Sequence, residues 1–165
     1  MSNYFWFGLS AKTIANYFLD LGRRDGVPID PLKLQKLVYL AHGWSLFFLK
    51  RPLIKEPFEA WRYGPVVPVL YQEFRRFGGS PITDFAAEVP GEPSYGIDPQ
   101  TKSLLEAVWE RYKTLTPIQL SMLTHEPGYA WDLVQRRPDF FPWGARKIPN
   151  EFIADEFSRR QQQAQ

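Results

Sequence analysis

The chain has 165 residues and no cysteine, which excludes disulfides, thiolate metal sites and cysteine nucleophiles. Its net charge of +2 is too small to indicate nucleic-acid binding, because domains that bind nucleic acid usually carry a clustered basic face. The hydrophobic fraction of 44% and the charged fraction of 23% are typical of one soluble globular domain. Aromatic residues reach 16%, and large rings often anchor protein interfaces.

The first nine residues hold an aromatic run, Tyr4-Phe5-Trp6-Phe7, but lack the cationic start and the long apolar run of a signal peptide. No segment reaches about 18 consecutive apolar residues, the length of a membrane span. We therefore expect a cytoplasmic protein without membrane contact. The predicted organisation is an aromatic leader at 1–9, a single domain at 10–157 and a polar tail at 158–165 that frays.

Capping residues followed by apolar residues at helical spacing predict the first two helices. Ser10 caps a helix that runs to about Arg24, and Gly26 ends it. A second helix over 31–50 begins after Asp30. It is the most apolar segment of the chain, which makes it the expected central helix. Its apolar residues recur three and four positions apart: Leu34, Leu37, Val38, Ala41, Trp44 and Phe48.

The segment 58–63 predicts a strand, bounded by a Gly64-Pro65 turn. Its expected partner is the short stretch 81–83, which would complete a small ribbon packed on the helices. Between the two, a helix over 68–77 is predicted to end at Gly78-Gly79, since glycine favours the left-handed conformation of helix ends.

Residues 84–97 contain proline and glycine without a helical period, so they predict a long loop. Helices are then predicted over 99–115, 117–124 and 130–137, followed by an irregular stretch and a final helix capped by Asn150. The predicted fold is mainly α: a compact single-domain, bundle-like set of six or seven helices with two or three short strands.

The two histidines are the main candidates for acid–base chemistry. His42 lies in the central helix, where a hydrogen-bonded core histidine is favoured over a ligand or base. His125 lies at a helix end, where capping of backbone carbonyls is favoured over an acid–base pair with Glu126 or Asp132. The adjacent carboxylates Asp155-Glu156 are attributed to a solvated helix face. We therefore expect no catalytic residue, no cofactor and no metal site.

Two blocks, 32–46 and 58–71, stand out in the sequence. Most of their residues are expected to be core and turn, and only a few exposed side chains are open to a binding role. The loop at 84–97 is a further candidate surface. The partner-binding candidates of the leader and the second block are Tyr4, Phe5, Trp6, Phe7, Glu59, Trp61, Arg62 and Tyr63.

The same blocks resemble the Panacea antitoxin-domain family, also met as SocA-like and phage-associated GepA-like proteins. The resemblance rests on Leu34-Gln35-Lys36-Leu37-Val38-Tyr39 and on Phe58-Glu59-Ala60-Trp61-Arg62-Tyr63-Gly64-Pro65-Val66, and it extends over residues 10–157. It implies a mainly helical domain with no catalytic motif to carry over. The motif residues to which a structural role is assigned are Leu34, Lys36, Leu37, Tyr39, Gly64, Pro65, Tyr71, His125 and Trp131.

The function that this resemblance implies is that of an antitoxin, which neutralises a cognate toxin by direct protein–protein contact. The alternative is a regulatory adaptor that delivers a client protein to a protease or chaperone, with the glutamine-rich tail as its flexible tag. A third hypothesis, an enzyme that uses His125 with Glu126 and Asp132, fits the resemblance poorly.

Overall fold

The computed structural model describes residues 7–137 and 146–165. Within them the chain forms seven α-helices and one small sheet, so the predicted mainly α fold is confirmed. No helix of this part of the chain is long and apolar enough to cross a membrane. The helices are α1 (Ala11–Asp25), α2 (Pro31–Trp44), α3 (Pro68–Phe74), α4 (Pro99–Tyr112), α5 (Pro117–Thr124), α6 (Ala130–Gln135) and α7 (Asn150–Gln163).

Four helices begin where the sequence predicts, because a side chain accepts the hydrogen bond of a backbone N–H two or three residues ahead. Proline follows the capping residue at α2, α4 and α5, where its fixed φ suits the first turn. Thr116 and Gln119 also form a reciprocal capping box. The capping residues are Ser10, Asp30, Asp98 and Thr116.

Helix α2 is the central helix, as predicted, and it packs against α1, α4, α5 and α7. The ring of Phe157 lies against Gly43, where a Cβ atom would come within 2.1 Å of the ring. The chain then changes from α-helix to a π-helical turn at Ser45–Leu49. This change of period turns Phe48 outward, so that it is 55% exposed and not part of the buried stripe that the sequence predicts.

The sheet differs from the prediction. Strand β1 (Phe58–Trp61) lies between β2 (Gly64–Val66) and β3 (Lys147–Ile148), and both pairs are antiparallel. The predicted pairing with 81–83 is wrong, because the Ile82 N–H donates to Ile29 O instead. Residues 64–65 begin the next strand, and the turn falls at residues 62–63, which keeps the connection short.

Proline is tolerated in β2 because of its register. Pro65 lies opposite Ala60, whose N–H points away from β2 and donates to Arg146 O. The nitrogen of Pro65 therefore faces the outer edge of the sheet, where no ladder hydrogen bond is lost.

The last helix also departs from the prediction. Pro149 precedes α7, and Asn150 is the first residue of the helix. The Asn150 side chain does not cap the helix, because its Oδ1 lies 2.9 Å from His42 Nε2. Glu156 is fully buried, although the sequence favours a solvated position. The helix continues to Gln163, where Tyr129 donates a hydrogen bond at 3.1 Å, so most of the predicted fraying tail is helical.

Candidate partner-binding groove

An apolar groove of about 380 Å³ opens between the first turn of α2, the β1–β2 hairpin and α3. Its volume lies within the range of protein ligand sites. Arg62 is the one charged side chain among the described residues that line it. The side chains that give this aromatic groove its character are Leu32, Trp61, Arg62, Tyr63, Tyr71 and Phe74.

The rings form a buried floor and an exposed rim. Phe74 is buried beneath the groove, whereas Tyr71 is 42% exposed and Tyr63 is 62% exposed. Trp61 and Tyr71 pack edge to face with their centroids 4.9 Å apart. The guanidinium of Arg62 lies 5.5 Å from the Tyr63 ring centroid. Aromatic and arginine side chains around an apolar depression are the composition of protein-binding hot spots.

The candidates from the sequence fall into three groups. Trp61, Arg62 and Tyr63 come together at the groove, and Tyr71, to which the sequence assigns a structural role, lies there too. Glu59 differs from the expectation: it is 8% exposed, and its Oε2 accepts a hydrogen bond from the Trp61 indole at 3.2 Å. Glu59 therefore orients the tryptophan ring and offers little surface to a partner.

The aromatic leader is a separate case. Tyr4, Phe5 and Trp6 lie outside the described residues. Phe7 is described and is 76% exposed, and it is not among the residues that line the groove. The leader therefore stays a prediction.

The loop at 84–97 is confirmed as a connection without regular secondary structure. Its start is anchored by Asn16, whose amide donates to Ala86 O and accepts from the Ala86 N–H. The Ala87 N–H donates to Glu73. Tyr95 is 66% exposed in this loop.

Four successive backbone carbonyls of the hairpin, at residues 60–63, each meet a side chain from α5, α6 or the turn between them. These contacts hold the turn that presents Arg62 and Tyr63. They are Gln135 Nε2 to Ala60 O at 3.1 Å, Trp131 Nε1 to Trp61 O at 2.6 Å, His125 Nε2 with Arg62 O at 3.3 Å, and Ser121 Oγ to Tyr63 O at 2.9 Å.

His125 serves the structure of the hairpin and of α5. Its Nδ1 lies 2.6 Å from Ser121 O in the last turn of α5, so the predicted capping role is confirmed. Its ring packs on Trp131, with the centroids 4.1 Å apart. The Asp132 carboxylate accepts from the Gly128 N–H and from Arg136, and Glu126 is exposed. The geometry does not support an acid–base pair at this position.

Side chains of α2 close the free edge of β2. Lys36 is fully buried, and its Nζ donates to Pro65 O at 2.8 Å. Gln35 donates to Val67 O at 3.1 Å and accepts from the Val67 N–H at 2.9 Å. Burial lowers the pKa of Lys36 to about 7, because an ammonium ion loses its hydration there.

Comparison with known proteins matches residues 34–132 to a family model described as antitoxin SocA-like, Panacea domain. This range includes most of α2, the hairpin, α3, α5 and Trp131, whereas Leu32 at the groove and Gln135 of α6 lie just outside it. The chain belongs to the SocA-like Panacea antitoxin family.

A curated relative supports the same assignment. Antitoxin SocA of Caulobacter vibrioides (strain NA1000 / CB15N) is 32% identical over 155 residues, which cover 90% of this chain and 82% of that protein. No solved structure gives a significant match. The resemblance seen in the sequence is therefore confirmed, and family membership supports an antitoxin role.

The structure explains the motif residues of this Panacea domain. Leu34, Leu37 and Tyr39 are buried in the core. Gly64 has a φ of 109°, and a Cβ atom there would lie 2.7 Å from Thr124 Oγ1 and 2.9 Å from Lys36 Nζ. A side chain at position 64 would therefore be strained and would displace the contacts that hold the hairpin.

The sequence analysis did not identify two sets of residues at or beside the hairpin. Ser121 and Gln135 hold the hairpin, but single polar residues on short helices give no local signal of such a contact. Ile118 and Met122 are 69% and 67% exposed on α5, beside the hairpin. Their spacing of four residues, opposite the buried Leu120, is the signal that indicates an outward apolar stripe.

Proposed function

We propose that this protein is an antitoxin that neutralises its partner toxin by stoichiometric binding through the aromatic groove. The observation that carries the proposal is the hairpin whose four carbonyls are held by other side chains while Trp61, Arg62 and Tyr63 face the groove. The hairpin and three of the four side chains that hold it lie within residues 34–132, the part of the chain that matches the antitoxin family.

The physical basis is preorganisation. Large rings bury much apolar area with few rotatable bonds, and a turn already fixed in place loses little entropy when a partner binds. The edge-to-face contact of Trp61 with Tyr71 further limits ring motion. A groove of this kind can cover a partner surface without moving any backbone.

A non-catalytic role is part of the proposal. Both ring nitrogens of His42 face structural partners, Asn150 and the Ile54 N–H, and burial lowers the pKa of this histidine to about 4. A histidine that is buried and neutral at physiological pH suits a core position more than proton transfer. His125 is engaged by the hairpin.

The test is capture of the partner from the native host with a tagged full-length chain. We expect one small protein in a 1:1 complex by size-exclusion chromatography with light scattering. Expressed alone, that protein should stop growth, and co-expression of the full chain should restore it. A captured partner that keeps its activity in the presence of excess antitoxin would contradict neutralisation by binding.

The adaptor alternative predicts a different fate for the partner. Masking leaves the toxin intact, whereas delivery to a protease shortens its lifetime. The glutamine-rich tail, which that alternative assigns as a flexible tag, is helical to Gln163 and contacts Tyr129. A pulse–chase measurement of the toxin with and without the full chain separates the two, since masking predicts no loss of toxin.

A further inference from the structure

We propose that the aromatic groove recognises an amphipathic helix with acidic side chains, presented by the partner. The inference rests on the proposed function, since it names the element of the toxin that the groove would hold. It follows from three features of the described residues: a closed strand edge, exposed apolar side chains at and beside the groove, and an arginine without an ion pair.

The closed edge argues against an extended peptide. β2 is an edge strand, and peptides often bind such strands by adding to the sheet through backbone hydrogen bonds. Here Pro65 has no N–H to offer, and its carbonyl accepts from Lys36. Gln35 occupies both backbone groups of Val67. The groove must therefore recognise a partner through its side chains and not through backbone hydrogen bonds, as in the binding of a helix in a groove.

Further exposed apolar side chains lie on the helix next to the hairpin. Four of the eight large apolar side chains exposed in the described residues lie on the hairpin, on α3 and on the neighbouring α5. The hydrogen bond from Ser121 to Tyr63 O brings α5 directly against the hairpin turn. Exposed apolar side chains on these neighbouring elements suit the apolar stripe of a helix, whose anchors are three and four residues apart. The four residues are Tyr63, Tyr71, Ile118 and Met122.

The positive charge at the rim of the groove favours negatively charged side chains on the bound helix. Arg62 is exposed, and within the described ranges its guanidinium forms no ion pair and only faces the Tyr63 ring. Glu59, the nearest acidic residue in sequence, is buried against the Trp61 indole. Arg75 follows Tyr71 by about one helical turn and is also exposed. A carboxylate beside the apolar anchors would complement both cations.

The experiment is selection from a displayed library in which the surface positions of one helix of a stable helical hairpin are randomised. The bait is the full chain. We expect enriched helices with large apolar residues spaced three and four apart, flanked by Asp or Glu. Their affinity should fall at least about tenfold for Tyr71→Arg and for Arg62→Glu. Reselection on Arg62→Glu should enrich Lys and Arg.

Matched controls separate the groove from general effects of charge. Tyr95→Arg makes the same substitution at an exposed tyrosine of the 84–97 loop, and Arg111→Glu reverses an exposed arginine of α4. Both should keep wild-type affinity for the selected helices. Thermal unfolding of Tyr71→Arg should stay close to the wild-type curve, because Tyr71 is partly exposed.

Several results would overturn the inference: no enriched helix, enriched helices without acidic residues, or equal affinity for Tyr71→Arg. If sedimentation instead shows a wild-type dimer that the Tyr71→Arg substitution dissociates, the groove binds a second copy of this chain and not a partner helix. Toxin capture is scored separately. If Tyr71→Arg still captures and neutralises the toxin, the groove is not the binding site and the groove inference fails, whereas the antitoxin role stands through another surface. If no toxin is captured but acidic helices are selected, neutralisation fails and the groove chemistry stands.

Discussion

Lys36 joins α2 to the sheet through an unusual hydrogen bond. Its amine is fully buried, yet it donates to a neutral carbonyl, that of Pro65, and burial lowers its pKa to about 7. A buried amine without a carboxylate is held neutral more easily than charged. The same hydrogen bond holds the outer edge of β2, which belongs to the hairpin beside the aromatic groove. A change in the protonation of Lys36 would therefore act on the hairpin.

We expect the Lys36→Met substitution to remove part of the pH dependence of stability. Between pH 7 and the ordinary value of 10.5, the unfolded chain holds a proton on Lys36 that the folded chain lacks. The wild-type free energy of unfolding should therefore fall by about 1.4 kcal/mol for each pH unit as the pH is lowered through this range, beyond any slope of the variant.

Urea denaturation of both proteins from pH 7 to pH 10 measures this difference. Lys55→Met, at an exposed lysine, serves as the control and should run parallel to the wild type. Parallel curves for the wild type and Lys36→Met would contradict the depressed pKa.

Gly64 gives a second prediction at a single residue. Gly64→Ala places a methyl group against Thr124 and Lys36 at a φ of 109°, and we expect a loss of about 2–4 kcal/mol in the free energy of unfolding. Gly78→Ala is the matched control, because φ is also positive there but no atom lies within 4 Å. If the two variants lost equal stability, the packing explanation would be wrong.

At the scale of elements, the β1–β2 hairpin depends on α5 and α6. A two-residue turn between short strands is weak alone, since a hairpin needs packing against other elements for stability. Side chains of Trp131 and Gln135 donate hydrogen bonds to the carbonyls of Trp61 and Ala60. The shape of the groove therefore depends on α5 and α6 as well as on the elements that line it, and its rings come from the hairpin and from α3.

Trp131→Phe tests this dependence because it removes the indole N–H and keeps an aromatic ring. We expect faster amide hydrogen exchange in residues 58–66 and weaker partner binding, with a loss of about 1 kcal/mol in global stability. Trp109→Phe is the control: it removes an indole hydrogen bond to Asp25, at 2.7 Å, which joins α4 to α1 and involves no residue of the hairpin. Unchanged exchange in the hairpin of Trp131→Phe would contradict the holding role.

Across the whole molecule, a buried polar network joins α2 to α7 and to the end of α5. Tyr39 donates to Glu156, which also accepts from Arg160 at 2.8 Å, and Arg160 donates to Leu123 O. Burial raises the pKa of Glu156, while Arg160 and Tyr39 oppose the rise. Burial also raises the pKa of Tyr39, which keeps its hydroxyl a donor. The last helix thus completes the core from outside the range matched to the family.

Glu156→Gln should destabilise the whole fold. The substitution keeps the size of the side chain but leaves the nearly buried Arg160 without its counter-charge, at a cost of about 3–5 kcal/mol. Asp155→Asn removes an exposed carboxylate from the same helix and should cost at most about 1 kcal/mol. Denaturant unfolding compares them, and a loss for Glu156→Gln as small as that of Asp155→Asn would contradict the role of the network.

Sequence reasoning succeeded at several sites where the physical cause is local, although the predicted Asn150 cap and Gly64-Pro65 turn were wrong. The helix caps at Ser10, Asp30 and Thr116 bond within three residues, so a short stretch of sequence determines them. The apolar spacing of α2 marks it as the central helix for the same reason. The family motif and the aromatic candidates at residues 61–63 could likewise be identified, because they are consecutive in the sequence.

The tertiary structure alone decided the contacts between distant residues. His42 meets Asn150 across 108 positions, Tyr39 meets Glu156 across 117, and Trp131 meets Trp61 across 70. From the sequence alone, a carboxylate or amide side chain is interpreted as solvated or as a helix cap. Its burial depends on which elements pack over it, and only the tertiary structure shows that. The sequence by itself determined the helices and the rings; packing decided the strand pairing, the buried network and the groove.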